Sequence, residues 1–171
     1  MAKLFHLKPT KLVPNSVYPL IYYQSAFSAG TSPDAISAHF AKHRWDEQHR
    51  GGMSYQSHYH STTHEVMGVY KGKAQLQFGM SDQDTELEQR NKVVLEVSEG
   101  DVIIIPSGVA HRCLKDDGGL STVGSYPRGG KQWDMNYGGE GGQIEVSVPD
   151  MDPFYGRDKE GLTGVWVPES Q

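Results

Sequence analysis

His58, His60, Glu65 and His111 are of the right types to hold one metal ion. In an extended strand alternate residues face the same way, so His58 and His60 project together and Tyr59 projects opposite. Residues 61–64 are rich in Ser and Thr and can turn the chain. Glu65 then returns on the next strand, on the histidine side, and its face continues through Met67 and Val69. His111 follows a second signal, in which Pro106, Ser107 and Gly108 redirect the chain onto a new strand. Imidazole nitrogens with one carboxylate suit a divalent transition metal such as zinc, iron, manganese or nickel. Bound imidazoles are neutral and the carboxylate is ionised, so a divalent ion here leaves a net charge of about +1. Such a site can accept an anionic or enediol-like ligand at an open position, or bind a water and lower its pKa.

The positioning elements follow from periodicity. Residues 1–17, punctuated by Pro9 and Pro14, read as an extended arm, and 18–23 as a short strand with Pro19 at its start or edge. Thr31, Ser32, Pro33 and Asp34 signal the start of a helix, which the spacing of Ala35, Ile36, Ala38, His39 and Phe40 carries over 33–45. Residues 46–52 read as a polar loop. The period then changes to two, predicting strands at 53–60, 65–70, 73–78, 93–97, 101–105, 110–114 and 120–125, separated by glycines or polar clusters. Residues 81–92 form a charged, solvated hairpin connection. In 102–105 both faces are apolar, as in a strand covered on both sides. Beyond 126 only 143–148 is periodic, and that tail is expected to wrap the barrel or a partner subunit. The pattern is all-β, closed into a barrel or jelly roll with one short helix.

The chain has 171 residues, 36% of them hydrophobic, which suits one domain with its own core. We divide 1–171 into an arm, strand and helix (1–50), a barrel core (51–126) and an irregular wrap (127–171). The 20 glycines and 9 prolines favour short strands and tight turns. A net charge of −5 without a basic stripe argues against nucleic acid as a partner. No apolar run approaches the roughly 20 residues that cross a bilayer, and the N-terminus lacks the apolar core of a signal peptide. The single cysteine, Cys113, cannot form an internal disulfide and fits a cytoplasmic protein.

Gly52-x5-His58-x-His60-x4-Glu65-x6-Gly72 resembles the first motif of the cupin superfamily at every fixed position. Gly100-x5-Pro106-x-Gly108-x2-His111 resembles the second. The chain departs at Lys115, where the family carries an asparagine; the ligand positions are untouched. More narrowly, HYHSTTHE at 58–65 and YPRGGKQWDMNYG at 126–138 are similar to the YjlB-like group of single-domain bacterial cupins, which has no settled activity. The resemblance implies a double-stranded β-helix barrel with a metal held inside by His58, His60, Glu65 and His111. Family members include dioxygenases, isomerases, epimerases, decarboxylases, sugar-binding regulators and storage proteins, so fold does not decide reaction.

Other residues are weighed individually. His64 faces away from Glu65, as a residue behind the ligands or on the surface, and would replace Glu65 as a ligand if the turn were one residue tighter. Cys113 reads as a small buried core residue, with a pocket-lining thiol as the alternative. Ser54 and Gln56 share a face with His58. Gln75 and Gln77 alternate with Leu76 and Phe78, and the glutamines are expected to face solvent. Tyr126, Arg128, Trp133, Asp134 and Tyr137 lie in a glycine-rich segment that suits a lid, an interface or plain packing, with Arg128 the candidate there for a substrate carboxylate or phosphate. His39, His43 and His49 read as surface residues and Trp45 as packing the helix onto the barrel. The first functional reading is a metal-dependent enzyme acting on a small organic molecule, a dioxygenase or an isomerase/epimerase. The alternatives are a non-catalytic protein that binds or senses a sugar or organic acid, and a metal that merely stabilises the core. The apolar run at 18–23 and the arm before it suggest a homodimer, with the arm crossing to the partner.

Overall fold

The computed structural model describes residues 2–85, 87–141 and 145–168. In chain order its elements are β1 (Ala2–Phe5), β2 (Leu20–Tyr23), α1 (Pro33–Lys42), β3 (Trp45–Gly51), β4 (Glu65–Lys71), β5 (Lys73–Phe78), a short 3-10 turn (Glu88–Asn91), β6 (Val93–Ser98), β7 (Val102–Ile105), β8 (His111–Asp116), β9 (Ser121–Pro127) and α2 (Leu162–Val165). The strands form two antiparallel sheets, one ordered β1-β2-β7-β4-β9-β3 and the other β6-β5-β8. This is an all-β jelly roll, as the sequence pattern predicts.

Alternation along the strands builds two cores. Met67 and Val69 of β4, Ile103 and Ile105 of β7, Leu76 and Phe78 of β5 and Cys113 of β8 meet between the sheets. Val66, Val102 and Ile104 point from the outer face of the large sheet to Ile36 and Phe40 of α1, Trp45, and Leu162 and Trp166 of the tail. Both faces of β7 are therefore covered, which explains its unbroken apolar run. Cys113 is a core residue, and Gln75 and Gln77 face away from the inter-sheet core, although Gln77 is covered. Helix α1 approaches so closely at Gly68 that a Cβ there would stand 2.6 Å from Ile36 Cγ2.

Three expectations are corrected. The helix stops at Lys42, because Arg44 takes a left-handed conformation (φ 68°) and turns the chain back. Residues 45–51 are then a strand rather than a loop, paired with β9 at the edge of the large sheet, where a polar sequence is tolerated. Residues 53–60 are not a regular strand: Ser54 Oγ accepts from Gln56 N, Ser57 Oγ donates to the distant Met80 carbonyl, and only single bridges form at His58 and Tyr59. β1, at the start of the arm, pairs antiparallel with β2. The expected periodic segment at 143–148 lies partly outside the described residues, and 145–148 forms no regular element.

The tail is held by Asp152. Its buried carboxylate accepts from Tyr23 Oη (2.5 Å), Phe154 N (2.7 Å), Tyr155 N (2.9 Å) and Leu162 N (2.8 Å). The β8–β9 turn, next to Lys115, is organised by Asp116, whose carboxylate accepts from Gly118 N, Gly119 N and Leu120 N. No helix of the described residues is long and apolar enough to cross a membrane.

Candidate metal centre

The three imidazoles come together from different parts of the chain. His58 and His111 exchange both backbone hydrogen bonds (3.2 and 2.9 Å) as an antiparallel pair, which sets their rings side by side, centroids 4.3 Å apart. The His60 carbonyl accepts from Gly108 N (2.8 Å) and Ser107 Oγ (3.1 Å), so the Pro106–Gly108 turn fixes the chain beside the second histidine. Gly108 has φ +93°, and a Cβ there would lie 2.4 Å from the Asn15 carbonyl oxygen, so only glycine fits. Glu65 opens β4 opposite Ile105 and faces inward, whereas Tyr59 packs on the other side with Val13 and Ala110. Potential ligand atoms of His58, His60 and His111 all lie within 4.8 Å of one another, and all three residues are buried. Glu65 Oε2 is 3.1 Å from His60 Nε2 and 3.4 Å from His111 Nε2.

Hydrogen bonds on the far side of each ring decide the tautomers. His58 Nδ1 faces the Gln56 carbonyl (2.9 Å), His60 Nδ1 the Asp134 carbonyl (2.5 Å) and His111 Nδ1 the Val109 carbonyl (3.0 Å). A carbonyl only accepts, so each Nδ1 carries the proton and each Nε2 presents a lone pair to the centre. Three lone pairs and a carboxylate then converge in a buried space, which is unfavourable unless a cation lies among them. A shared proton or a metal ion satisfies this requirement, and backbone carbonyls behind imidazoles are the usual supports of metal ligands. The residues therefore fit a divalent transition metal.

The electrostatics of the side chains alone divide, with His58 kept neutral and His60 drawn toward a proton shared with Glu65. Burial, then the neighbouring His111, pushes His58 down to about 4, favouring its neutral form. Burial also pulls His60 down, but the hydrogen bond and charge of Glu65 outweigh it and the net shift is upward. Burial alone would raise Glu65, yet His111 and His60 hold its carboxyl well below the usual range. Burial and the adjacent Glu65 raise the Tyr126 phenol far above its ordinary value, so it stays protonated.

Above the cluster lies a cavity of about 180 Å³. Met67 and Tyr126 wall it from the sheets, while Met53, Trp133 and Met135 form its mouth, the last two 36% and 38% exposed. Trp133 and Met135 belong to a strap, residues 129–139, that crosses the opening. The strap is clamped by the Asp134 carboxylate, which accepts from Ser61 N (2.7 Å), Ser61 Oγ and Asn136 Nδ2 (2.9 Å).

The three expected imidazoles thus lie together, with Glu65 beside two of them. His64 lies behind them: it is buried, accepts from Ser107 N through Nδ1 (2.9 Å), donates from Nε2 to the Ser147 carbonyl (3.1 Å) and packs on Trp166. Arg128 does not reach the cavity; its guanidinium is held by both oxygens of Asp46 (2.8 Å each). Ser54 lines the cavity, whereas Gln56 contributes only its carbonyl. His39 and His43 are half-buried against the tail, not on the surface, and their rings bond the Phe154 and Pro153 carbonyls. His49 is exposed but also lines the cavity. Sequence reasoning missed the three supporting carbonyls, which have no side-chain signature, and the methionines of the mouth.

An antiparallel jelly roll with such a cluster between its sheets has the form of a cupin-type barrel. The cupin family model (Cupin_1, described as Cupin) matches residues 43–118. The uncharacterised protein YjlB of Bacillus subtilis is 30% identical over 163 residues, 91% of this chain and 90% of that protein. The chain belongs to the cupin superfamily and, within it, to the YjlB-like proteins. Among solved structures it is similar to procruciferin, an 11S globulin from Brassica napus, at 14% identity and TM-score 0.39, covering 77% of this chain and 29% of that one. It is also similar to RmlC from Streptococcus suis, in complex with dTDP-D-xylose, at 12% identity and TM-score 0.38, covering 88% of this chain and 77% of that one. The chain spans about a third of the length of the seed globulins it matches. Neither likeness is close enough to carry function.

Proposed function

We propose that this protein is a metal-dependent enzyme that acts on a small organic molecule through His58, His60, Glu65 and His111. The carrying observation is the convergence of three Nε2 lone pairs and one carboxylate beneath a cavity that reaches the surface. A purely structural metal is normally closed off by protein ligands, whereas a reactive one keeps a position open. A divalent ion held here would supply Lewis-acid or redox chemistry. The chain's own residues orient and shield: Asp134, Gln56 and Val109 fix the rings, Tyr126 donates toward the carboxylate side, and Trp133 and Met135 restrict water. Besides the ligands, the cavity's titratable groups are Tyr126, which stays protonated, and His49 at the rim. This sparse acid–base equipment favours chemistry centred on the ion and also supports the second reading, a non-catalytic binder of a small acid or sugar.

Elemental analysis of untagged protein, with His58→Ala and His111→Ala beside it, tests the proposal. The wild type should carry close to one equivalent of a first-row metal and each variant should lose it. A wild type that takes up no manganese, iron, cobalt, nickel or zinc would end the metal reading. Turnover of a discovered substrate by fully metal-free protein would end the enzymatic one. The free edge of β1 and the single buried thiol support the finer reading of a cytoplasmic homodimer, which a monomer mass by light scattering would remove.

A further inference from the structure

The cavity's lining narrows what can bind, given that the cluster holds a divalent ion as proposed above. Neutral imidazoles and one carboxylate leave the loaded centre with about one positive charge. No lysine, arginine or aspartate lines the cavity among the described residues, so apart from His49, whose Nε2 donates to the Gly52 carbonyl at the rim, that single charge has nothing to supplement it. The walls beyond the ligands are three methionines, Trp133 and Tyr126, with Thr122 and Ser54 as small polar breaks and His49 at the rim. A ligand with one negative charge neutralises the centre and leaves its body against apolar walls. A second negative charge would be desolvated with no lysine or arginine to meet it. Size acts in the same direction, since 180 Å³ equals about six waters' worth of liquid.

We infer that the site selects compact monoanions: one carboxylate, enolate or thiolate head on the ion, carrying a short apolar body that lies against Met53, Met67 and Met135. Phosphate esters, dicarboxylates and sugar nucleotides are rejected by charge, and bodies longer than the cavity gain nothing beyond its mouth. Trp133 and Met135 set that limit, because they stand where the cavity opens.

The test uses the full untagged chain, stripped of metal and reloaded with cobalt(II), whose visible spectrum reports ligands entering its coordination sphere. Acetate, butyrate, hexanoate, octanoate, succinate and inorganic phosphate are titrated at pH 7.5, with calorimetry in parallel. Butyrate should bind at least tenfold more tightly than succinate or phosphate. Affinity should rise from acetate to hexanoate and level off by octanoate. Met135→Lys, which adds a cation at a partly exposed position that holds no metal, should tighten succinate at least fivefold relative to butyrate. Failure to load cobalt would sink the metal reading and this inference together. A loaded protein that binds succinate or phosphate as well as butyrate, binds none of the probes, or gains affinity evenly through octanoate overturns the inference and leaves the metal reading standing.

Discussion

Replacing Asp134 by alanine should damage the metal centre without removing a ligand. The carboxylate holds Ser61 N, Ser61 Oγ and Asn136 Nδ2, while its own backbone carbonyl orients His60 Nδ1. At roughly 1 kcal/mol for each of three bonds to a half-exposed carboxylate, the clamp is worth about 3 kcal/mol. Burial pushes Asp134 up, but the Ser61 and Asn136 bonds bring its carboxyl down to about 2, from 3.8. That shift corresponds to about 2.4 kcal/mol, which solvent screening cuts to roughly half, so the electrostatic part is smaller than the bond count but of the same order. Because the folded pKa lies below the unfolded one, the stabilisation is complete above about pH 4 and is lost as pH falls toward 2. The affinity deficit of the variant should therefore be constant between pH 7 and 5. The strap keeps its anchors at Tyr59–Asn136, Leu12–Gly139 and Ser81–Tyr137, so residues 129–135 should loosen locally. Zinc or cobalt affinity, measured by competition with a chelator, should fall about 10- to 100-fold, the usual cost of losing support behind a ligand. The metal-free melting temperature should fall by only a few degrees. Asp134→Asn, which can still accept from Ser61 N, should lose less. If the alanine variant bound metal within twofold of wild type, the strap would be covering the site and not orienting His60.

Further perturbations separate site from scaffold. At Gly124 a Cβ would lie 3.2 Å from Glu65 Oε1 and 3.3 Å from His49 Cβ, so Gly124→Ala should displace the carboxylate by a few tenths of an ångström and weaken metal binding about tenfold, read by the same chelator competition. His64 is buried as the neutral form and pushed by burial down to about 4. Its contribution is present above its unfolded pKa of about 6.5 and is lost as pH falls toward 4; from pH 7 to 5 that amounts to about 2 kcal/mol. Because His58 is depressed in the same way, urea unfolding of the metal-free proteins should show a pH 7-to-5 loss about 2 kcal/mol smaller in His64→Gln than in wild type; equal losses would mean that the folded protein accommodates a charged His64. Asp152→Ala strands four donors inside the tail core and should cost about 3–5 kcal/mol, measured by thermal unfolding, while metal affinity of the folded protein remains unchanged.

What was legible before the fold was known divides along physical lines. The unbroken apolar run 102–105 declares a strand covered on both sides, while the alternation at 73–78 offers two faces, of which the expected one, Leu76 with Phe78, does turn inward. Ser32, Pro33 and Asp34 announce α1 through local capping chemistry, and Ser32 Oγ does accept from Ala35 N. Trp45–Gly51 does not announce itself, because an edge strand needs no apolar alternation; its pairing with β9 overrides a polar local pattern. The end of α1 was misplaced for a related reason: only the left-handed turn at Arg44, required to bring Trp45 to the edge, stops it.

The sequence alone determined the chemistry available. The residue types, the H-x-H spacing, the return to Glu65 and the turn before His111 are local facts, set by backbone period and turn sterics. Tertiary structure decided everything that depends on groups distant in the chain. It chose which ring nitrogen faces the centre, because the Asp134 carbonyl meets His60 across 74 positions. It assigned Arg128 to Asp46 and not to the cavity, and it left the cavity without a lysine or arginine among the described residues. Such outcomes depend on which elements pack together, and packing is a property of the whole molecule.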